Sequence, residues 1–178
     1  MFDLAVLGLL RKRPRHGYEL KTRLTELGFL RVSFGSLYPA LRRLEKREFI
    51  EALRQSGRRK TYRLTETGEQ ELARILDSSD DDEDRRFNMR LAFFEYLEPG
   101  ARLRSLKRRR SHLVTRLKNA QTALQHTKAE GPIDHYTAAL LQHNIGTTES
   151  DIGWLDQLIA YARTEQVAEV PRTLTGGK

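Results

Sequence analysis

The segment from Ser33 to Glu45 constrains the fold more than any other part of this chain. Its apolar residues Leu37, Leu41 and Leu44 recur at the spacing of one helical face, which predicts a helix that packs on a core through that face. Polar and basic side chains lie off that face, namely those of Ser36, Arg42 and Arg43. Because these groups donate hydrogen bonds of the kind that base edges accept, the segment is typical of a helix that reads DNA.

Pro39 limits where this helix can begin. A proline deep inside a helix removes one hydrogen bond and clashes with the preceding turn, so the helix must start only a few residues earlier. Ser33 and Ser36 are both suitable N-cap residues. The sequence alone does not decide between them.

Two short strands and a basic turn follow the helix. Residues 60–65 alternate polar and apolar side chains, and residues 49–54 do so less regularly. Ser56-Gly57 supplies turn residues between the two segments. This pattern predicts a two-stranded wing beside the helix.

Two shorter helices are predicted before the recognition segment. Asp3 is a suitable cap for a first helix that Arg13-Pro14 ends. A second helix opens at His16-Gly17-Tyr18 and closes at Gly28, where a left-handed cap suits glycine. We interpret His16 as a residue that starts this helix or packs there, rather than as a ligand.

The motifs of this half of the chain occur in the order of a known family. They are Leu7-Gly-Leu-Leu10, His16-Gly-Tyr-Glu-Leu20, Gly35-Ser-Leu-Tyr-Pro-Ala-Leu41, Leu44-Glu45 and Gly57-Arg-Arg-Lys-Thr-Tyr-Arg-Leu-Thr-Glu-Thr-Gly68. Residues 1–76 closely resemble the PadR family of bacterial transcriptional regulators. The resemblance implies a winged helix-turn-helix, usually a homodimer and usually a repressor that a small molecule or stress signal releases.

One position departs from the family pattern. The family commonly has a glycine just before the apolar pair that enters the wing, and this chain has Glu48 ahead of Phe49-Ile50. A left-handed backbone costs a non-glycine residue about 1–2 kcal/mol. Either the turn differs here or it is strained.

We predict DNA contacts from three parts of this domain. A helix in the major groove reads base edges, and a wing lays basic groups against phosphates. The predicted contacts are Ser36, Tyr38, Arg42 and Arg43 from the helix, Lys21 from the preceding helix, and Arg58, Arg59 and Lys60 from the wing. Two copies related by a two-fold axis predict an inverted-repeat operator.

The charge of the chain favours double-stranded DNA as a partner. Its 178 residues include 32 Lys and Arg against 24 Asp and Glu, a net charge of +8. An acidic run at 77–84 interrupts the basic surplus and resists packing because like charges repel. We therefore predict a DNA-binding domain at 1–76, an acidic linker at 77–86, a helical dimerisation and effector domain at 87–165 and a flexible tail at 166–178.

Several kinds of site are not expected. The chain has no cysteine, which excludes thiolate nucleophiles and cysteine-ligated zinc. Asp80, Asp82 and Asp84 match the first ligand positions of a calcium loop, but Arg85 and Leu91 stand where that loop needs glycine and glutamate. The sequence also lacks a phosphate-binding glycine loop and a nucleophile elbow. We expect no metal, no cofactor and no enzyme activity.

The sequence predicts a cytoplasmic protein with no membrane partner. The longest apolar run, Leu4 to Leu10, is far below the roughly 18 residues of a membrane span. Asp3 precedes this run where a signal peptide would carry positive charge.

The second half of the chain repeats apolar residues by heptads. Alternating steps of three and four residues predict two long amphipathic helices, hinged at Gly131-Pro132. The heptad positions are Leu103, Leu106, Arg110, Leu113, Leu117, Ala120 and Leu124, followed by Ala138, Leu141, Ile145, Thr148, Ile152, Leu155, Ile159 and Ala162. Gly146 and Gly153 indicate close packing between helices, since glycine is otherwise costly in a helix. The prediction is a mainly α fold whose long C-terminal helices form a dimer.

Two shorter segments complete this half. Residues 87–97 are rich in aromatic side chains and predict a short helix that Glu98-Pro99-Gly100 ends. We interpret the basic residues 107–110 as a solvated helix face. The alternatives are that they pair with the acidic run or that they support bound DNA.

Four aromatic residues are candidates for an effector pocket between the two halves. They are Phe93, Phe94, Tyr96 and Trp154. A small aromatic effector bound there would change DNA affinity through linkage. A core or dimer-interface role for these residues stays open. For the whole chain, the rival to DNA binding is a protein-interaction module on a winged-helix scaffold.

Overall fold

The fold is mainly α-helical, with a small antiparallel sheet near its N-terminus. A computed structural model describes residues 2–28, 32–53, 60–78 and 84–169. The elements are α1 (Phe2–Lys12), β1 (Arg15–His16), α2 (Gly17–Glu26), α3 (Phe34–Lys46), β2 (Ile50–Leu53), β3 (Thr61–Leu64), α4 (Glu66–Asp77), α5 (Asp84–Leu91), a 3-10 turn (Phe94–Tyr96), α6 (Pro99–Glu130) and α7 (His135–Glu169). Residues up to Leu97 form one compact unit and residues from Glu98 form another.

Helix α1 is the centre of the N-terminal unit. Every residue from Leu4 to Leu10 is buried, and the helix ends two residues before Pro14, as predicted. The ring of Phe93 lies so close to Gly8 that an added Cβ would stand 2.5 Å from a ring carbon. The leucines that complete this core are Leu20 and Leu24 of α2, Leu37, Leu41 and Leu44 of α3, and Leu72 and Leu76 of α4.

Ser33 caps the recognition helix, which resolves the choice left open by the sequence. The backbone N–H of Ser36 donates to Ser33 Oγ at 3.1 Å, and the helix begins at Phe34. Pro39 therefore lies in the second turn, where it removes only one early hydrogen bond of the ladder.

The sheet has three strands, whereas the sequence predicted two. The strand order is β1-β3-β2, and both pairs are antiparallel. Arg15 pairs with Tyr62 and His16 with Thr61. A two-residue strand is too short to show a period of two, so alternation of side chains had no means of revealing β1. Residues 54–59, which include the predicted turn, lie outside the described part of the chain.

Glu48 adopts the left-handed backbone that its position requires. Its φ is 59°, so the turn keeps its geometry although glycine is absent, and of the two alternatives left open by the sequence the strained turn is the one found. The hydroxyls of Thr65 and Thr67 both donate to the carbonyl oxygen of Glu48, at 2.6 and 2.7 Å. These two bonds hold the strained residue against the start of α4.

Gly68 joins the start of the wing to α4. A Cβ on this residue would lie 2.0 Å from the carbonyl oxygen of Phe49, so no other residue fits without moving the backbone. Thr65 caps α4, because the N–H of Gly68 donates to its Oγ1 at 3.1 Å. The N–H of Thr65 in turn donates to the carbonyl oxygen of Phe49 at 3.2 Å.

The segment after the acidic run differs from the single helix predicted for it. Helix α5 ends at Leu91 and a 3-10 turn follows at Phe94–Tyr96. Pro99 does not end a helix but begins α6, a position where its missing N–H costs nothing. The predicted domain limits at 76 and 87 stay a prediction; the compact units divide between Leu97 and Glu98.

Helices α6 and α7 pack against each other along the predicted heptads. Every heptad position is buried or half-buried, including Leu113 and Leu155, which are nearly inaccessible. Arg110 forms a two-pronged ion pair with Asp156, with Nε to Oδ1 at 2.5 Å and Nη2 to Oδ2 at 3.2 Å. This bond lowers the pKa of Asp156. The prediction that residues 107–110 form one solvated face is wrong for Arg109, which is buried, while the paired side chain of Arg110 stays 41% exposed.

The hinge between the two long helices lies where the sequence predicted it. Helix α6 ends at Glu130, and Gly131 adopts a φ of 150°. Asp134 caps α7 by accepting from the N–H groups of Tyr136 and Thr137 at 3.0 and 3.1 Å. Hydrogen bonds with Thr137 lower the pKa of Asp134. No described helix combines the length and apolar character needed to cross a membrane.

Replacing Glu48 with glycine should stabilise the protein. Glycine removes about 1–2 kcal/mol of left-handed strain and adds about 0.5–1 kcal/mol of backbone entropy cost. The net gain in unfolding free energy is therefore about 0.5–1 kcal/mol, measured as a higher urea midpoint at unchanged slope. Ala73→Gly, at an exposed position inside α4, is the control and should cost about 1 kcal/mol. Equal losses of unfolding free energy in both variants would contradict the strain at Glu48.

Candidate nucleic-acid interface

A cleft opens on the N-terminal unit between the start of α2, the outer side of α3 and strand β3. Its volume is about 620 Å³. The residues that line it are His16, Gly17, Tyr18, Phe34, Tyr38, Arg42, Lys60 and Tyr62. Three of the predicted DNA contacts, Tyr38, Arg42 and Lys60, thus lie together although they come from two different elements.

The spacing of α3 places the cleft residues on one side of the helix. Phe34, Tyr38 and Arg42 follow one another at four-residue steps and therefore share a face. The adjoining face, about a quarter turn round the helix, carries Leu37 and Leu41, both fully buried. Since the core fixes the leucine side of the helix, the aromatic and basic side lies at the margin of the core and is partly exposed.

Three aromatic rings form a continuous stack along the cleft, which we call the aromatic ladder. The ring of Phe34 lies between Tyr18, with centroids 6.2 Å apart, and Tyr38, with centroids 5.9 Å apart. Lys21 Nζ stands 4.3 Å from the centroid of the Phe34 ring. This predicted contact residue therefore adds a positive charge beside the ladder.

Gly17 lets the ladder pack against the start of α2. A Cβ on Gly17 would lie 3.1 Å from Tyr38 Oη, so any larger residue would press on that ring. The buried side of the cleft is Tyr62, which is 3% exposed and whose pKa is raised by burial. Thr61 Oγ1 and His16 Nδ1 are 2.8 Å apart, and this bond ties the start of α2 to β3. His16 thus has the packing role predicted for it.

The basic residues at this face divide into two groups. Arg13 and Arg15 both form ion pairs with Glu19, and Arg63 pairs with Glu51 across the sheet, Nε to Oε1 at 2.9 Å. Within the described part of the chain, no carboxylate forms a salt bridge with Arg42 or Lys60. The cleft therefore presents two basic groups without a neutralising carboxylate, as a phosphate-binding surface requires.

The structure separates the two arginines predicted on the recognition helix. Arg42 lines the cleft, whereas Arg43 lies on another side of α3 and forms an ion pair with Asp3 of α1. Ser36 is exposed, and its hydroxyl donates to the carbonyl oxygen of Ser33 at 2.9 Å. Arg58 and Arg59 lie outside the described residues.

Two members of the ladder, Tyr18 and Phe34, were not predicted as site residues. Tyr18 is 71% exposed and Phe34 is 39% exposed. A signal for Phe34 was present in its register, because it stands four and eight residues before the predicted contacts Tyr38 and Arg42 and so shares their side of α3. No local pattern predicts that Tyr18, on a different helix, meets that ring.

The four effector candidates lie in different surroundings. Phe93 and Phe94 are buried in the N-terminal unit, where Phe94 meets Phe87 edge to face. Tyr96 stacks on Phe93 and lies below the guanidinium of Arg11, 5.0 Å from the ring centroid. Burial raises the pKa of Tyr96 to about 12. Trp154 belongs to α7 and is 42% exposed.

Comparison with known proteins supports the resemblance stated for the N-terminal half. The family model described as the Transcriptional regulator PadR-like family matches residues 6–74. A second model, described as Virulence activator alpha C-term, matches residues 85–163. An uncharacterized 37.1 kDa protein in transposon TN4556 of Streptomyces fradiae is 35% identical over 72 residues, which are 40% of this chain and 21% of that protein. The chain thus spans about a fifth of the length of that relative.

Solved structures of similar proteins include two bacterial regulators. A PadR family transcription regulator from Clostridium difficile R20291 is 30% identical, with 40% of this chain and 78% of that chain covered and a TM-score of 0.38. Bacillus subtilis PadR in complex with operator DNA is 22% identical, with 90% and 96% covered and a TM-score of 0.41. The same protein with p-coumaric acid is 23% identical, with 90% and 98% covered and a TM-score of 0.40.

The family match agrees with the winged helix described above. The family model covers the residues from α1 to α4 that build the cleft. Residues 6–74 of this chain are therefore a domain of the PadR-like family of transcriptional regulators.

Proposed function

We propose that this regulator binds an inverted-repeat DNA operator as a homodimer. The observation that carries the proposal is the cleft, where Arg42 and Lys60 have no carboxylate partner among the described residues and stand beside an exposed aromatic surface. A major-groove helix needs donors aimed outward, and a wing needs cations at phosphate distance. Helix α3 and strand β3 supply these two groups on one face.

Each predicted contact has a place in this mechanism. Arg42, two turns into α3, reads a base edge, and Ser36 and Tyr38 contact the bases or backbone nearby. Lys60 at the entry to β3 binds a phosphate, and Arg58 and Arg59, which lie outside the described residues, are proposed as further phosphate contacts. Lys21 positions the backbone from α2. Arg43 serves DNA only if its ion pair with Asp3 opens.

The outer face of α7 is our candidate for the dimer interface. This face comprises the exposed residues on the side of α7 opposite α6, and it includes Tyr136, Leu140, Trp154 and Tyr161, which are 42–84% exposed. Among the described residues, no Lys, Arg, Asp or Glu lies on it. The set there is Tyr136, Ala139, Leu140, His143, Gly146, Thr147, Ser150, Gly153, Trp154, Gln157, Ala160, Tyr161 and Thr164. An uncharged face with large exposed aromatic residues is typical of an interface between proteins.

Small residues on the outer face favour a second copy of the same helix as the partner. Ala139, Gly146, Gly153 and Ala160 recur every seven residues, and a Cβ on either glycine would meet nothing within 4 Å in this chain. The order Ala, Gly, Gly, Ala is the same in both directions along the helix. An antiparallel pair around a two-fold axis would therefore set Gly146 against Gly153 of the partner subunit, a self-complementary contact.

Dimerisation determines the form of the operator. Two recognition helices related by a two-fold axis must lie about 34–36 Å apart to enter successive major grooves.

Repression of a promoter, and its relief by a small aromatic effector, complete the proposal. The candidate effector residues are Phe93, Phe94, Tyr96 and Trp154, of which Tyr96 and Trp154 are accessible without opening the core.

Arg42 and Lys60 should differ in how their loss affects DNA binding. Arg42→Ala should cost about 1–3 kcal/mol and relax selectivity at one base pair, whereas Lys60→Ala should weaken all sequences alike and flatten the salt dependence by about one unit of slope. Gel shifts on an operator from the chain's own upstream region, over a series of salt concentrations, measure both effects. Arg63→Ala removes an equal charge that Glu51 already neutralises, and should change neither. A protein-interaction module would show no salt-dependent operator binding at all.

Leucine at Gly146 or Gly153 should weaken the dimer. Each substitution overpacks a close helix contact, which costs about 1–3 kcal/mol, or roughly a ten-fold or larger rise in the dimer Kd. Sedimentation equilibrium over a concentration series measures that constant. The isolated chain should gain helix stability instead, since leucine is a better helix former than glycine.

A matched control for the dimer test is Ala123→Leu on the exposed side of α6, which should leave the dimer constant unchanged. A monomeric wild-type protein at micromolar concentration would contradict the homodimer. A dimer that is indifferent to both leucine variants would place its interface elsewhere.

An aromatic effector should change the fluorescence of Trp154, the single tryptophan of the chain, and release the operator at the same concentration. Titration of phenolic acids with emission and DNA anisotropy recorded together tests this, and Trp154→Phe identifies the source of the signal. Emission that changes while operator affinity stays constant would remove the residue from the effector mechanism.

A further inference from the structure

The aromatic ladder is more exposed than the fold requires. Tyr18, Phe34 and Tyr38 are 71%, 39% and 42% exposed, while the core of the same unit is filled by the leucines on the adjoining side of α3. Contiguous apolar surface of this kind marks a place where another molecule binds. The basic residues that flank it, Lys21, Arg42 and Lys60, make a polyanion the fitting partner and argue against an apolar protein surface.

Phe34 occupies the position in the ladder from which bases are read. It is the first residue of α3, and the N-terminal residues of a recognition helix are the ones that reach base edges. Tyr18 and Tyr38 stack on its ring, with interplanar angles of 30° and 24°. Because both neighbours restrict the ring before DNA arrives, little side-chain entropy is left to lose on binding.

The chemistry of this side chain selects one feature of DNA. A phenylalanine ring has no hydrogen-bonding group, so it gains nothing from the donors and acceptors of the major groove. The apolar group that base pairs present there is the 5-methyl of thymine. Arg42 lies two turns further along the same face of α3, where it reads a polar base edge while Phe34 contacts a methyl group.

We propose that Phe34 is a specificity-determining residue that reads a thymine 5-methyl group in each half of the operator, with Tyr18 and Tyr38 as positioning residues. The proposal rests on the DNA binding proposed above and names the base-pair feature that it selects. It requires a thymine in each half-site opposite the first turn of α3.

The test uses the full-length protein and sites selected from a random duplex library. Each thymine of the selected site is replaced in turn by deoxyuridine, which removes one methyl group and keeps the base pairing. For the wild type, one position per half-site should lose roughly four-fold in affinity, which corresponds to about 0.8 kcal/mol for one buried methyl group. Phe34→Ala should bind the thymine and deoxyuridine sites equally, and Phe34→Leu should keep part of the preference.

Two controls separate the methyl contact from general damage. Lys60→Ala should weaken both sites by the same factor and leave their ratio unchanged. The slope of affinity against salt should be the same for Phe34→Ala and wild type, because no phosphate contact is removed. As a direct measurement, 5-iodouracil at the sensitive position should, on irradiation, attach to the peptide that contains Phe34.

Three results would overturn the inference. One is a selected half-site that lacks thymine or is indifferent to deoxyuridine throughout. Another is a methyl preference that persists in Phe34→Ala, and a third is cross-linking to a peptide without Phe34. A protein that selects no duplex at all would instead refute the proposed function itself, and with it this inference.

Discussion

The buried leucine face of α3 is the contact on which the rest of this molecule depends. Leu37, Leu41 and Leu44 are fully buried, and this fixes the rotation of the helix about its axis. The partly exposed side next to the leucines then carries Phe34, Tyr38 and Arg42. Lys60, at the entry to β3, lies at the same edge. The chemistry of the cleft is thus a consequence of core packing rather than of any single polar bond.

Long periodic segments were predictable from the sequence, and their faces were predicted correctly. The heptads of α6 and α7 extend over many turns, so chance matches average out, and every predicted position is buried or half-buried. Local signals succeeded where the backbone geometry of a single position was predicted, as in the left-handed turn at Glu48 and the helix end at Gly131. What escaped prediction depends on partners distant in the chain: strand β1, the ion pair of Arg43 with Asp3, and the meeting of Tyr18 with Phe34.

Helix α7 shows why an amphipathic pattern is easy to misread. One side packs on α6, and the opposite side carries Trp154 and Tyr161 with no Lys, Arg, Asp or Glu among them. The charged residues of the described helix, such as Asp156, are confined to the flanks, where Asp156 binds Arg110. A pattern search for a single apolar face identifies the face that packs on α6 and misses the opposite one. Gly146 and Gly153 are the sequence signal that pointed to this second face.

The contact between Gly68 and the carbonyl oxygen of Phe49 has a mechanical meaning. With 2.0 Å between a hypothetical Cβ and that oxygen, and with Thr65 bonded to the carbonyl oxygens of both Glu48 and Phe49, strand β2 and helix α4 are joined as a rigid corner. The start of the wing therefore cannot rotate independently of α4. Any motion that tilts α4 must move this edge of the sheet with it.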